Sequence, residues 1–224
     1  SEIQEIAKIE KVARIRLSSI EPMDIQLSEL VALLKQEPKL CHHLHIPLQS
    51  GDNTILSRMN RTYTIQDYQN LIYSIRSHFP DIAITTDIIV AFPGETELQF
   101  RHTLDMVKQL EFAKVHIFRY SIRPGTPAAK MDDQIPTVIA KKRALQLSQL
   151  ADVVAIQYKE QWLNKIVPVL VESKRDKKTG YLTGLSSQYQ RIVFPGEDSC
   201  YNRLISVRIN QLKKNVLFGE KLTD

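Results

Sequence analysis

Along the first 120 residues, short apolar runs with strand-like spacing alternate with longer runs whose apolar positions recur at helical spacing. ARIRLSS (13–19) predicts a strand. DIQLSELVALLKQEP (24–38) predicts a helix whose apolar face is Leu27, Leu30, Val31 and Leu34, stopped at Pro38. HHLHIPL (42–48) reads as the next strand, followed by the helix TIQDYQNLIYSIRSHFP (64–80). That helix has Thr64 and Asp67 at capping-box spacing and an apolar stripe of Tyr68, Leu71, Ile72 and Ile75. Strand DIAITTDIIVAF (81–92), helix TELQFRHTLDMVKQLEF (96–112) and strand KVHIFRYS (114–121) complete the series. Strand, helix, strand repeated in this way implies parallel strands joined by helical crossovers.

A Pro- and Gly-rich loop, RPGTPAAKMDDQIP (123–136), then leads into a long helical stretch from about Thr137 to Asn164, with Pro136 as a first-turn proline. Beyond it the pattern changes to five short β runs separated by turns: IVPVLVE, GYLTGLS, QRIVF, LISVRI and NVLF. Their spacing predicts a small closed barrel of the OB type. The expected fold is therefore α/β: a partial barrel of parallel strands with outer helices over residues 1–158, then a small antiparallel OB-like β-barrel over 159–224.

Composition leaves this picture intact, and charge adds to it. The hydrophobic fraction of 43% and charged fraction of 25% are those of a globular protein, and there is no apolar run long enough to span a bilayer or act as an export signal. Two distant cysteines, Cys41 and Cys200, make no disulfide framework, which agrees with the cytosol. Residues 1–158 carry 18 basic and 18 acidic side chains, and 159–224 carry 12 basic and 7 acidic ones, so the net charge of +5 arises in the second part. That asymmetry suggests a module for a polyanion such as nucleic acid. Lys174, Arg175, Lys177, Lys178, Arg203, Arg208, Lys213 and Lys214 are candidate phosphate contacts, and Tyr181, Tyr189 and Phe194 candidate stacking groups. KRDKKTG (174–180) also reads as a hairpin tip, which accounts for some of the lysines.

KLCHHLHIPLQSG (39–51) places Cys41, His42, His43 and His45 within five positions. On a strand, Cys41, His43, His45 and Gln49 share a parity, while His42, Leu44, Ile46 and Leu48 face covering helices. Parity permits a metal cluster of Cys41, His43 and His45. Strand rise opposes it, since neighbours of equal parity are roughly 7 Å apart. The favoured reading is a polar, hydrogen-bonded barrel lumen with no metal. The strand ends PLQSGDN and VAFPGET are where a βα barrel places its chemistry, although PGET alone also serves as an ordinary strand-to-helix turn.

Taken together, RIRLSSIEP, HLHIPLQSGDNTILSRMNRTYT, TTDIIVAFPGET and FRYSIRPGTPAAKM, in this order and spacing, closely resemble the methylthiotransferase family of radical S-adenosylmethionine enzymes. The C-terminal module resembles that family's TRAM domain, a small RNA-binding β-barrel. KLCHHLHIPLQSG, FPDIAITTDIIVAFPGET, FAKVHIF and KMDDQIP are most similar to the branch that modifies N6-threonylcarbamoyladenosine next to the tRNA anticodon. Other branches act on isopentenyladenosine or on a ribosomal-protein aspartate.

The resemblance implies that Glu21, Gln49, Arg61 and Asp87 hold S-adenosylmethionine, and that Ala91–Glu95 and Phe118–Ser121 line its pocket. Ala91 stands where the family usually has the first glycine of GFPGE. The resemblance also implies a 4Fe-4S cluster held by CxxxCxxC, which this sequence lacks, so no catalytic residue is assigned and the chain is expected to be inactive alone. It therefore reads as the C-terminal part of a longer enzyme whose partner is the anticodon stem-loop of tRNA. The alternative is a stand-alone RNA-binding protein with a degenerate barrel.

Overall fold

The computed structural model describes residues 2–222; Ser1, Thr223 and Asp224 lie outside the described residues. The chain packs as two units, one containing residues up to Leu17, Val31–His43 and Ile156 onward, the other Ser18–Leu30 and Leu44–Ala155. In chain order the elements are α1 (Glu2–Ala7), α2 (Leu27–Gln36), β1 (His43–His45), α3 (Asn53–Arg58), α4 (Ile65–His78), β2 (Ala83–Val90), α5 (Glu97–Leu110), β3 (Lys114–Arg119) and α6 (Thr137–Glu160). Five further strands follow: β4 (Ile166–Arg175), β5 (Leu182–Leu185), β6 (Arg191–Phe194), β7 (Leu204–Lys213) and β8 (Val216–Lys221).

Strands β1, β2 and β3 form a three-stranded sheet in that order. β2 and β3 run parallel with Thr85 opposite Lys114, Asp87 opposite His116 and Ile89 opposite Phe118. Helix-facing positions are fully buried: Leu44, Ile46 and Leu48 on the first strand segment, Ile84, Ile88 and Val90 on β2, Ile72 and Ile75 on α4, and Phe100 on α5. Each such aliphatic side chain contributes roughly 1.5–3 kcal/mol by leaving water. Tyr68 of α4 is buried too, and its hydroxyl donates to the Ile46 carbonyl at 2.7 Å, so its polar tip has a partner inside the core.

Helix starts follow the sequence signals. Thr64 with Asp67, and Thr96 with Gln99, each make both bonds of a capping box. Pro136 departs from expectation in a small way. It precedes the first helical residue, Thr137, and its carbonyl accepts from Ala140 N–H at 3.1 Å.

Two strand predictions are corrected. Residues 13–19 make two isolated parallel bridges, Ile15 with Leu40 and Ser19 with His45, rather than one strand. The break falls at Leu17–Ser18, where the chain passes from one packing unit to the other. The strand expected over 42–48 is regular only at His43–His45 because Pro47 has no N–H to offer the ladder. Pairing resumes through Gln49 N–H to the Asp87 carbonyl, 2.8 Å, and Ile89 N–H to the Gln49 carbonyl, 2.9 Å. The carbonyls left over at Pro47 and Leu48 accept from the Tyr63 hydroxyl at 3.2 and 3.1 Å. Burial, its largest influence, pushes that phenol up to about 12.

The last five strands close into a barrel in the order β4-β5-β6-β8-β7. Its core holds Val167, Val169, Val171, Leu182, Ile192, Phe194, Val207, Ile209 and Leu217. The OB-like expectation holds, with one correction: β6 and β8 pair in parallel, so the barrel is mixed rather than wholly antiparallel. In a closed five-strand order whose last two strands form a hairpin, one closing seam must join strands running the same way.

At the loop after β1, Gly51 lies directly against α5. A Cβ there would come within 2.4 Å of Thr103 Cα and 2.7 Å of its nitrogen, backbone atoms that cannot step aside. Gly51→Ala is expected to destabilise the fold by about 1–3 kcal/mol in chemical denaturation. An unchanged midpoint would show that this loop does not rest on α5.

Candidate functional site

Four of the six side chains assigned to the cofactor by resemblance lie on or just beyond the three parallel strands. Gln49 and Ala91 sit beyond β1 and β2, while Asp87 and Phe118 are on the paired strands β2 and β3. Since Asp87 opposes His116 and Ile89 opposes Phe118, Asp87 and Phe118 share one face of the sheet, whereas Gln49 pairs opposite Ile88. Phe118 is half exposed there. The remaining two meet each other: Arg61 Nη1 reaches both carboxylate oxygens of Glu21 at 3.2 Å. That pair lies beside Tyr63, whose phenol feels both charges and binds the carbonyls just before Gln49.

The backbone at the two strand ends is unusual. Gln49 has φ 66° and Ala91 has φ 59°, both in the left-handed region. In that region an L side chain costs roughly 1–2 kcal/mol, so the glycine-to-alanine departure at Ala91 bears on backbone strain as well as on ligand space.

What holds Ala91 in place is Glu95, the last residue of the Ala91–Glu95 turn that the resemblance places along the pocket. Glu95 is almost fully buried, and one of its oxygens accepts the Ala91 N–H at 2.8 Å and a bond from Arg143 Nη1 at 2.7 Å. The same Arg143 nitrogen donates to the Glu95 carbonyl at 2.9 Å. Burial pushes the Glu95 carboxyl up, opposed by the Ala91 N–H and by Arg143. Removing either partner from such a buried pair costs about 3–5 kcal/mol. The signal in the sequence was PGET itself, where the glutamate follows the turn by one residue. Gly94, at φ 76°, completes the turn, and a Cβ there would collide with the Arg58–Asp133 ion pair.

The residues present fit part of the expected cofactor set. Among the described residues Arg61 Nε has no hydrogen-bond partner, so the guanidinium keeps a donor beside the one engaged by Glu21. They do not fit an iron–sulfur cluster. Cys41 and Cys200 are both buried free thiols 159 positions apart, and burial pushes the Cys41 thiol up against the opposing influence of Arg14, Arg16 and Ser187.

The Cys–His stretch is resolved by its surroundings. Cys41 hydrogen-bonds Ser187, and His43 packs on the Tyr189 ring at 5.1 Å. Neither joins a group of ligand atoms with His45; the group found among the described residues is His45, Asp87 and His116. Burial, then Lys114 and His45, pull the His116 imidazole down, while Asp87 opposes them.

In the barrel, Lys174, Arg175, Lys177, Lys178, Arg203, Arg208, Lys213 and Lys214 are all exposed. Arg175 is committed locally, donating to the Gly180 and Gly196 carbonyls and to Asp198 at 2.6–3.0 Å. Lys177 and Lys178 sit on a turn held by Asp176, whose carboxylate accepts from Lys178 N–H and from Thr179. Tyr181 and Tyr189 are part exposed, although the Arg16 guanidinium lies 4.0 Å from the Tyr189 ring centre. Phe194 is corrected: it is fully buried in the barrel core and cannot stack on a base.

The radical SAM superfamily model matches residues 1–107. Over 217 residues the chain is 40% identical to the tRNA-2-methylthio-N(6)-dimethylallyladenosine synthase of Acetivibrio thermocellus, covering 97% of this chain and 45% of that protein. Over 204 residues it is 37% identical to the threonylcarbamoyladenosine tRNA methylthiotransferase MtaB of Bacillus subtilis, covering 90% and 45% respectively. The chain thus spans about half the length of the curated relatives it matches. Among solved structures, coproporphyrinogen III oxidase (HemN) from Escherichia coli aligns with a TM-score of 0.52 at 15% identity, over 99% of this chain and 56% of that one, a likeness of fold alone. Set beside the parallel sheet and the strand-end residues above, these matches show that the chain is similar to the radical S-adenosylmethionine superfamily over residues 1–107 and to tRNA methylthiotransferases over about half of their length.

Proposed function

We propose that this chain is the C-terminal part of a tRNA methylthiotransferase that adds a methylthio group to C2 of N6-threonylcarbamoyladenosine next to the anticodon. The observation that carries the reading is the set of side chains at the ends of three adjacent parallel strands, with the Glu21–Arg61 pair beside them. The branch rests on KLCHHLHIPLQSG, FAKVHIF and KMDDQIP, and the relatives include one named for threonylcarbamoyladenosine and one for dimethylallyladenosine.

In this reading Asp87 and Glu21 accept from ribose hydroxyls, and Arg61 binds the methionine carboxylate by a charge-assisted bond. Gln49 both donates and accepts, and Phe118 offers its ring edge or face to the cofactor. The Glu95–Arg143 pair positions the Ala91 turn beneath them. When bound with its cluster, S-adenosylmethionine would supply hydrogen-abstracting chemistry at adenine C2 and a second molecule would supply the methyl group, with Glu21, Gln49, Arg61, Asp87 and Phe118 holding the cofactor. Cluster thiolates come from residues other than Cys41 and Cys200, so the chain alone does not cleave the cofactor.

The β4–β8 barrel serves as a TRAM-type RNA-binding module, its exposed lysines and arginines facing phosphates of the anticodon stem-loop. Within it, Lys213 and Lys214 lie at the β7–β8 turn, and Arg203 and Arg208 project from β7 or just before it. Arg175 acts as a tie between turns more than as a phosphate ligand.

S-Adenosylhomocysteine is expected to bind the purified chain weakly in calorimetry, and Asp87→Ala to abolish the heat. Equal binding by the variant rejects Asp87 as a cofactor residue. Ala91→Gly is expected to raise stability by up to about 1 kcal/mol in thermal unfolding, by relieving the left-handed strain less the glycine entropy cost. A lower melting temperature would mean that the alanine methyl supports the turn. An anticodon stem-loop RNA is expected to bind with log K falling by about 0.7 per phosphate neutralised as log salt rises. Affinity indifferent to salt would remove the basic barrel from the RNA contact.

A further inference from the structure

Three strands each lend one metal-ligand side chain to the same face of the sheet: His45 from β1, Asp87 from β2 and His116 from β3. One ligand atom from each lies within 4.8 Å of the other two, and His45 Nε2 is 3.3 Å from Asp87 Oδ1. The grouping is a product of register, because Asp87 stands opposite His116 across the β2–β3 pair.

Hydrogen bonding fixes what those atoms offer. His45 Nδ1 is 2.9 Å from Thr85 Oγ1, and the Thr85 hydroxyl donates to the Leu44 carbonyl at 3.5 Å. In the tautomer that donates Nδ1–H to the Thr85 hydroxyl, a neutral imidazole keeps its lone pair on Nε2. That lone pair faces a carboxylate oxygen at 3.3 Å, so two acceptors confront each other unless a cation lies between them.

A proton would serve this one pair. The second imidazole, His116, adds a third donor within reach, and two imidazole nitrogens with a carboxylate oxygen suit borderline transition ions better than magnesium or calcium. With bonds of about 2.1 Å, the 3.3 Å separation subtends an angle of about 104°, close to tetrahedral. The His116 ring is half-buried, and its nitrogen lies within 4.8 Å of the other two ligand atoms. The Asp87 side chain remains 28% exposed, which leaves water access for a fourth ligand. Thr85 supplies the outer hydrogen bond that orients a ligating imidazole.

We propose that His45, Asp87 and His116 form a binding site for a divalent ion of the zinc class, with three protein ligands and one open position. It is distinct from any iron–sulfur cluster, because it uses no cysteine. If Asp87 also holds the cofactor ribose, metal and S-adenosylhomocysteine compete for it.

The test is titration of the chelator-stripped chain with Zn²⁺ by calorimetry and with Co²⁺ by visible absorption. One equivalent is expected to bind, with cobalt bands of tetrahedral intensity. His116→Gln and Asp87→Asn should each weaken binding at least about tenfold, and His78→Gln, on the exposed end of α4, should leave it unchanged. His116→Gln leaves the proposed cofactor residues in place, so its loss of metal with retained S-adenosylhomocysteine binding separates the two sites. Should Asp87→Asn unfold by circular dichroism, His116→Gln decides alone. No stoichiometric uptake by the parent chain, or parent-like uptake by His116→Gln, overturns the proposal.

Discussion

Parallel pairing across the Pro47 gap is the constraint on which the site depends. Pro47 cannot donate, so the first strand loses its ladder just where the strand ends and its loop begins. The chain recovers by bonding Gln49 to both Asp87 and Ile89, and it can do so only by turning Gln49 into the left-handed region. Tyr63 then occupies the carbonyls that the proline left over, and Gly51 drops the loop onto α5. Each step is local, but together they fix where Asp87, Gln49 and Phe118 lie relative to one another.

A second device performs the same task on β2. There the Ala91 N–H is held by the carboxylate of Glu95, itself neutralised by Arg143 from the long helix α6. A buried ion pair of this kind contributes little net stability compared with apolar packing, and its value lies in specifying one geometry for the turn. Surface charges elsewhere, such as Arg175 with Asp198, are exposed and act on hairpin conformation with little energetic weight.

Much of this arrangement was legible in the sequence. Period-two runs with Leu44, Ile46 and Leu48 on one side marked the covered face, and Thr64 with Asp67 marked the helix start, because burial parity and capping are local properties. Residues 13–19 misled because β-rich composition does not reveal whether a partner runs alongside. Phe194 misled for a related reason: an aromatic residue on a short strand looks the same whether it faces core or solvent. The buried Glu95–Arg143 pair and the His45–Asp87–His116 group were out of reach, since their members are 48, 42 and 29 positions apart and meet through tertiary register alone.

The mixed closure of the small barrel carries a mechanical consequence. β7 and β8 share a long register and β4 and β7 a five-residue one, whereas among the described residues β6 and β8 are joined at two positions, Ile192 with Leu217 and Val193 with Phe218. A cylinder sewn with one short seam opens there first. Amide protons along that seam therefore belong to the smallest cooperative opening of the barrel, which can part into an open sheet while the β7–β8 hairpin stays intact.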